Sequence, residues 1–294
     1  GSQPQEARRS AFSVRKVFTD GHGRRVPDRR STVSRGRTAR VFTLRIVGVE
    51  SARVPDELIV EEPMSIRVDG ELVATTMRTP GNDFELAAGF CVTEGLLGDA
   101  EVRTIRYCGQ GPASEAEFND VTVDTDGTAP VPIPRLGPAS SSCGICGTVA
   151  IEGLLERLVP MDVEPFDLEV LAGVTEQVDG RQDLFGATGA VHAAAAFDRS
   201  GEPMIVREDI GRHNAVDKVV GRLHLDGGLP ACDLGLWVSG RASFEMAQKA
   251  WAAGFAALVA VSGPSALAVE TARTAGLQLA GFARGDRLNL YTDD

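Results

Sequence analysis

Two cysteines pose the first chemical question. In "SSSCGICG", residues 140–147, Cys143 and Cys146 form a Cys-x-x-Cys pair among small residues. Such a pair serves four chemistries: a zinc site, a disulfide, a dithiol redox couple, or a carrier of sulfur. Structural zinc takes four ligands, commonly from two such pairs. This chain has five cysteines, one such pair and four scattered histidines. A disulfide-exchange enzyme expects the pair after the first strand of a small domain, whereas this pair follows a Pro-rich stretch in mid-chain. The glycines and serines predict a flexible, exposed loop. Cys146 falls at the start of an expected helix, where unpaired N–H groups favour a thiolate. A thiolate on such a loop suits both sulfur transfer and dithiol exchange, and the residues alone leave both open.

Cys91 and Cys232 sit among apolar neighbours and read as small core residues. Cys108 closes an expected strand in "IRYCGQG". "EDIGRHNAVDK" gathers Asp209, Arg212, His213, Asn214, Asp217 and Lys218. His213 and Asp217 are four apart and share a helix face. They read either as a polar wall of a binding site or as a capped helix start with an ion pair. Two Ser-Gly turns add hydroxyls and N–H groups: Ser239, Gly240, Arg241 and Ser243, then Ser262, Gly263 and Ser265. At strand ends facing helix N-termini these suit a pyrophosphate; plain helix capping explains the serines equally. Arg284 and Arg287 flank Gly285-Asp286. Two arginines there hold phosphate or stack on a ring, or form an ordinary exposed turn. His192 reads as a satisfied strand histidine, and Glu61 and Glu62 as a strand edge.

The elements that must position these groups follow from periodicity. "VFTLRIVGVE" alternates, and Asp69-Gly70 lies between two alternating runs, a hairpin signal. A helix is expected after "TPGN", capped by Asn82 or Asp83, with Phe84, Ala87, Ala88, Cys91 and Leu96 on its apolar face. Strands are expected near 102–108 and 118–123, then a long Pro/Gly/Ser loop as the seam between two halves. A helix with Val149, Leu154, Leu155 and Leu158 inward follows the thiol pair. "GATGAVHAAAAF" and "PMIVRE" read as strands, and "RHNAVDKVVGRLH" as a helix with Ala215, Val216, Val219, Val220 and Leu223 inward. "LWVSGRASFEMAQKAWAAG" and "VAVSGPSALAVETARTAG" are near-repeats of strand, Ser-Gly turn and helix. Tandem strand–helix units imply parallel strands. A last strand pair flanks "RGDR".

The bulk numbers narrow the function classes. The 294 residues are 43% hydrophobic and 24% charged, the balance of a soluble globular protein. No apolar core follows the basic residues at the start, so no signal peptide is expected. "AWAAGFAALVAV" is too short to span a membrane, and no membrane association is expected. The net charge is −11, yet the first 40 residues hold 11 Arg or Lys against 3 Asp or Glu. Residues 1–40 read as a disordered basic tail. The acidic remainder argues against nucleic acid as the main ligand. Few cysteines and no secretory segment place the chain in a reducing, cytoplasmic compartment.

An ordered set of stretches carries a resemblance: "EEPMSIRVDG", "MRTPGNDFELAAGF", "SSCGICG", "TGAVHAA", "EDIGRHNAVDK", "VSGRASFEMAQKA", "SGPSALAV" and "GFARGDRLNLYT". Together they resemble the formate dehydrogenase accessory sulfurtransferase family, FdhD, over nearly all of residues 41–294. Position 263 is Gly where that pattern leads one to expect Ala. The resemblance implies a sulfur carrier that accepts a persulfide from a cysteine desulfurase. Its substrate would be the molybdenum (or tungsten) bis-guanine-dinucleotide pterin cofactor, bound transiently on its way to the formate dehydrogenase apoprotein, with no permanent cofactor. Cys143 would carry the sulfur and Cys146 would resolve or relay it. Cofactor contacts map onto Phe282, Ala283, Arg284, Gly285, Asp286 and Arg287, with Ser239, Arg241, Ser262 and His213 as supporting candidates.

The expected class is α/β, or α+β overall. A small β-rich subdomain with one helix would span 41–135. The resemblance implies a cytidine deaminase-like mixed sheet with flanking helices over 136–294 and, together with the apolar C-terminal units, a homodimer. A zinc nucleoside deaminase is excluded on residues: it requires His-x-Glu and Pro-Cys-x-x-Cys, but Ala-Ala follows His192 and Ser142 precedes Cys143. A cofactor-binding chaperone without sulfur chemistry and a dithiol oxidoreductase are the alternative functions.

Overall fold

The computed structural model describes residues 36–108, 119–130 and 158–293. The expectations for residues 1–35 of the tail, residues 131–142 of the Pro-rich seam, the Cys143–Cys146 loop and the helix after it lie outside the described residues, apart from Leu158, which packs against the core; residues 38–40, expected in the disordered tail, instead begin the first strand. Strands β1 (Thr38–Val47) and β2 (Glu50–Ile59) pair antiparallel as a long hairpin. Phe42, Leu44 and Ile46 alternate along β1 and so share one exposed face of it.

A four-stranded sheet follows in the order β4-β3-β6-β5. Its hairpin joins β3 (Glu62–Val68) to β4 (Glu71–Arg78). Asp69 and Gly70 both have positive φ, 49° and 92°, as a two-residue turn of this hand requires. The Asp69 carboxylate accepts from the Thr125 N–H and hydroxyl, each at 2.6 Å. That ties the turn to the end of β6 (Asp120–Asp124), which runs parallel to β3 and antiparallel to β5 (Thr104–Tyr107).

The larger sheet has six strands in the order β12-β11-β10-β9-β7-β8. They are β7 (His192–Phe197), β8 (Pro203–Asp209), β9 (Gly235–Val238), β10 (Ala257–Ala260), β11 (Gln278–Arg284) and β12 (Arg287–Leu290). Strands β9, β10 and β11 are parallel, as the tandem repeat predicts, and antiparallel neighbours close both edges.

Both faces of this sheet are covered, so its strands alternate between two cores. Ala194, Ala196, Leu236, Val238, Leu258 and Leu279 pack in one core with apolar residues of α4 (Arg212–Asp226), α5 (Phe244–Ala253) and α6 (Ala266–Ala275). Ala193, Ala195, Trp237, Val259 and Ala280 pack in the other with α2 (Leu168–Asp179). The alanines of β7 leave room for helices on both sides at close spacing. The outcome is a mixed α+β fold with a sheet between helix layers.

Helix α1 (Asp83–Thr93) joins the small sheet to α4. The two helices touch backbone to backbone. A Cβ added to Gly89 would overlap the Asp217 carbonyl, and one added to Gly221 would overlap the Glu85 carbonyl. The seam between them is charged and buried. Asp209 accepts from Lys218 Nζ at 2.6 Å, Gly211 N at 2.8 Å, Asn214 Nδ2 at 2.9 Å and Thr79 N at 3.2 Å. Lys249 donates to Asp217 at 2.9 Å, Glu94 at 3.2 Å and Thr93 Oγ1 at 2.8 Å. Burial disfavours the charged Lys249, but the Asp217 and Glu94 carboxylates outweigh it and hold its pKa above the ordinary lysine value.

Four local expectations change. Asn82 stands at the α1 N-cap in a left-handed conformation, but its side chain does not cap the helix. Asp83 pairs instead with the buried Arg78, at 3.1 and 3.0 Å, so an ion pair fixes the helix start. Helix α1 is also buried well beyond one apolar stripe: Asp83, Glu85, Leu86 and Gly89 are buried as well. Residues 186–188 belong to a short helix, α3 (Asp183–Thr188), and the strand begins only at His192. Cys232 is exposed rather than in the core.

The glycine crossing makes a direct prediction. Gly89→Ala or Gly221→Ala must push α1 and α4 apart and destabilise the fold by about 3 kcal/mol or more. Gly173 lies within α2 with open space where its Cβ would sit. Gly173→Ala should therefore stabilise by roughly 0.5–1 kcal/mol, as helix propensity dictates. Denaturant unfolding of the three variants against wild type measures both effects.

Candidate functional site

The parallel strands β10 and β11 end on the same side of the sheet. After β10 the chain passes through Val261, Ser262 and Gly263 to reach α6. Ser265 caps α6 by accepting the Ala268 N–H at 3.2 Å. Strand β11 is irregular here: Gly281 pairs with Asn289, but the next pair is Arg284 with Arg287. The bulge falls on Phe282, whose φ of 54° is left-handed, uncommon for a bulky side chain. Its N–H donates to the Ser262 carbonyl at 3.3 Å, and half of the residue's surface stays exposed.

The residue after the bulge is anchored. Ala283 is buried, and its carbonyl accepts the Thr175 hydroxyl at 2.9 Å. The same Thr175 oxygen accepts the buried Trp237 indole N–H at 2.9 Å. Gly285, at φ 61°, turns the chain into β12.

These elements enclose a cleft of about 430 Å³ lined by Val261, Ser262, Phe282, Arg284, Arg287, Leu288 and Asn289. Four residues singled out from sequence, Ser262, Phe282, Arg284 and Arg287, come together in it. Ala283 faces the core, while Gly285 and Asp286 form the turn at its rim. Leu288 and Asn289 escaped the sequence reading; their alternation with Arg287 along a terminal strand was the available signal. Chemically the cleft offers two guanidinium groups, a hydroxyl, an amide and an exposed aromatic ring. That set suits a phosphate-bearing ligand with a planar heterocycle.

The remaining candidates occupy a neighbouring region. Ser239 Oγ accepts the Ala193 N–H at 3.0 Å, extending the sheet contact beyond β9. The Gly240 carbonyl accepts the Ser262 N–H at 3.2 Å, joining the two Ser-Gly turns. Arg241 is exposed. His213 and Asp217 share a face of α4 and meet a matching pair on α5: His213 Nε2 lies 3.7 Å from Glu245, and Asp217 binds Lys249. None of Ser239, Arg241 and His213 lines the cleft. Asp209, Asn214, Asp217 and Lys218 are engaged in the α1–α4 seam. Glu62 pairs with Arg78 at 3.3 Å. His192 is half-buried; burial first, then the Arg212 charge, lowers its pKa.

Cys143 and Cys146 lie outside the described residues. Cys91 is fully buried, and burial pushes its thiol far above the ordinary range. Cys108 Sγ rests 2.9 Å from Thr122 Oγ1. Among the described residues no three His, Cys, Asp or Glu side chains gather as a metal site. No described helix is long and apolar enough to cross a membrane.

The His213–Glu245 contact has a measurable signature. His213 first, then the Ser243 hydroxyl, holds the Glu245 carboxyl down to about 2, below its ordinary 4.5. A depressed carboxyl contributes stability above its unfolded value and loses it as pH falls toward its folded value. The melting temperature should therefore fall more steeply between pH 4.5 and about 2 in wild type than in Glu245→Gln. Equal slopes in a thermal-denaturation series would rule the pairing out.

Comparison with known proteins places the chain in a family. The family model described as "FdhD/NarQ family" matches residues 59–294, so most of the β1–β2 hairpin lies before the matched region. A protein of Corynebacterium efficiens named "Sulfur carrier protein FdhD" is 45% identical over 251 residues, covering 82% of this chain and 90% of its own. A protein of the same name from Streptomyces avermitilis is 45% identical over 259 residues, covering 84% and 90%. A crystal structure from Desulfotalea psychrophila, of a candidate formate dehydrogenase accessory protein, shares the fold. Its TM-score is 0.69 at 22% identity, over 87% of this chain and 97% of that one. The chain belongs to the FdhD/NarQ family.

Proposed function

We propose that this protein is a sulfur carrier serving formate dehydrogenase. In this reading Cys143 takes sulfur from a cysteine desulfurase and delivers it to a molybdenum or tungsten bis-guanine-dinucleotide pterin. The observation that carries the reading is the cleft lined by Ser262, Phe282, Arg284 and Arg287, side chains whose types suit a planar ring with phosphates, in a chain whose relatives are named sulfur carriers.

The chemistry is thiol exchange. The Cys143 thiolate attacks the outer sulfur of the donor's persulfide. The donor's S–S bond breaks, its cysteine leaves as a thiolate, and Cys143 holds the new persulfide, with no net redox change. The cleft holds the acceptor. Arg284 and Arg287 pair with phosphate oxygens as charged donors, and the exposed Phe282 ring stacks on the purine. In this reading Asp286, on the turn, accepts from a guanine edge. Cys146 attacks Cys143 Sγ when sulfur is to be released: hydrosulfide leaves and a Cys143–Cys146 disulfide remains, which a dithiol reductant reopens.

Intact-protein mass spectrometry after incubation with a cysteine desulfurase and cysteine tests the carrier step. One added, reductant-labile sulfur is expected on wild type, and none on Cys143→Ala. Wild type that stays unmodified beside an active desulfurase would turn the reading toward a cofactor-binding chaperone. Reduction of insulin disulfides without any persulfide would turn it toward a dithiol oxidoreductase.

Guanosine diphosphate tests the cleft separately. Arg284→Ala and Arg287→Ala should each weaken its binding by about tenfold or more in titration calorimetry, the usual loss for a hydrogen bond to a charged group. Unchanged affinity in both variants would remove the nucleotide from this cleft.

A further inference from the structure

Gly240 and Gly263 hold the same place in the two strand–turn–helix repeats, yet the structure needs them differently. Neither has a positive φ, so backbone conformation demands glycine at neither. A Cβ on Gly240 would meet only the His192 ring, at 3.7 Å, an ordinary contact. A Cβ on Gly263 would stand 2.7 Å from Phe282 Cζ and 3.1 Å from Cε2. Real carbon contacts do not come this close, so something must move.

What can move is narrowly defined. The Phe282 backbone is held on one side by its own N–H to the Ser262 carbonyl, at 3.3 Å. On the other side, buried Ala283 is held through its carbonyl by Thr175, at 2.9 Å. The atoms facing Gly263 are the far end of the ring, and the ring is half in solvent. The ring is therefore the part that yields.

We infer that in this chain, which carries Gly where the family pattern leads one to expect Ala, residue 263 positions the Phe282 ring in the cleft. By lacking a side chain it seats the Phe282 ring against the β10–α6 turn, and so sets where a planar group stacks and how far Arg284 and Arg287 stand from that plane. The inference rests on the cleft being the nucleotide site proposed above, but the ring's position can be read without any ligand.

The test uses the full chain with 4-fluorophenylalanine at position 282, alongside Gly263→Ala, Phe282→Leu and the double variant. In Gly263→Ala the 19F resonance should shift by more than its linewidth without ligand, while the melting temperature moves by only a few degrees. Affinity for guanosine diphosphate should fall by about tenfold, as overpacking of one methyl dictates. In the Phe282→Leu background the same substitution should change affinity by less than about twofold, because the two residues act as one unit.

An unmoved 19F resonance overturns the inference, as do equal affinity losses in both backgrounds. A fall in melting temperature beyond about 10 °C also overturns it, because the backbone and not the ring has then given way. If no variant and no wild type binds the nucleotide while the resonance moves, the positioning role stands and the assignment of the cleft falls.

Discussion

Two missing side chains hold this molecule together. Gly89 and Gly221 let α1 and α4 cross with their backbones in contact. Only glycine permits that approach. At this distance Asp209, Lys218, Asp217, Lys249 and Glu94 are shut away from water, and each has to find its partner inside the seam. Buried ion pairs contribute little net stability compared with an apolar seam, but breaking one strands a charge and costs about 3–5 kcal/mol. Their effect is on geometry: few positions of α1 against α4 satisfy all the donors at once. The small sheet is thereby docked onto the large one in a defined pose.

The cleft depends on this frame at one remove. Parallel strands bring the turns after β9 and β10 to the same edge, and the Ser262 N–H to Gly240 carbonyl bond links them. The bulge in β11 then lifts Phe282 out of the sheet while Thr175 and Trp237 hold Ala283 in the core. Left-handed backbone at an aromatic residue is tolerated where surrounding contacts over-determine it, and such positions cluster at binding sites.

What sequence revealed and what it concealed divides by distance along the chain. The Asp69-Gly70 hairpin, the tandem strand–helix units and the turn at Gly285 are short-range features, and each was legible. The start of α1 was misread because its decisive partner, Arg78, acts through an ion pair and not through a cap. Cys232 has apolar neighbours in sequence but lies exposed in the folded chain. The near-complete burial of α1 follows from α4, more than a hundred positions later, which no local period encodes. At the cleft, the arginines were legible as residue types, and Phe282 only through the family resemblance. Leu288 and Asn289 were not, because their place depends on β12 folding back along β11. The Cys143–Cys146 pair was marked by its spacing, its role as sulfur carrier came from the family resemblance, and both residues lie outside the described ones.

The α1–α4 crossing also sets an order of events during synthesis. Arg207 reaches Glu85 across 122 positions, and Lys249 reaches Thr93 across 156. A chain emerging from the ribosome at ~5–20 residues per second exposes α1 for several seconds before α4 exists to cover it. Contacts of such long range slow the search for the native state. Throughout that interval Glu85 lacks Arg207 and Thr93 lacks Lys249. The face of α1 that carries Glu85, Gly89 and Thr93 is therefore covered only when the second half arrives.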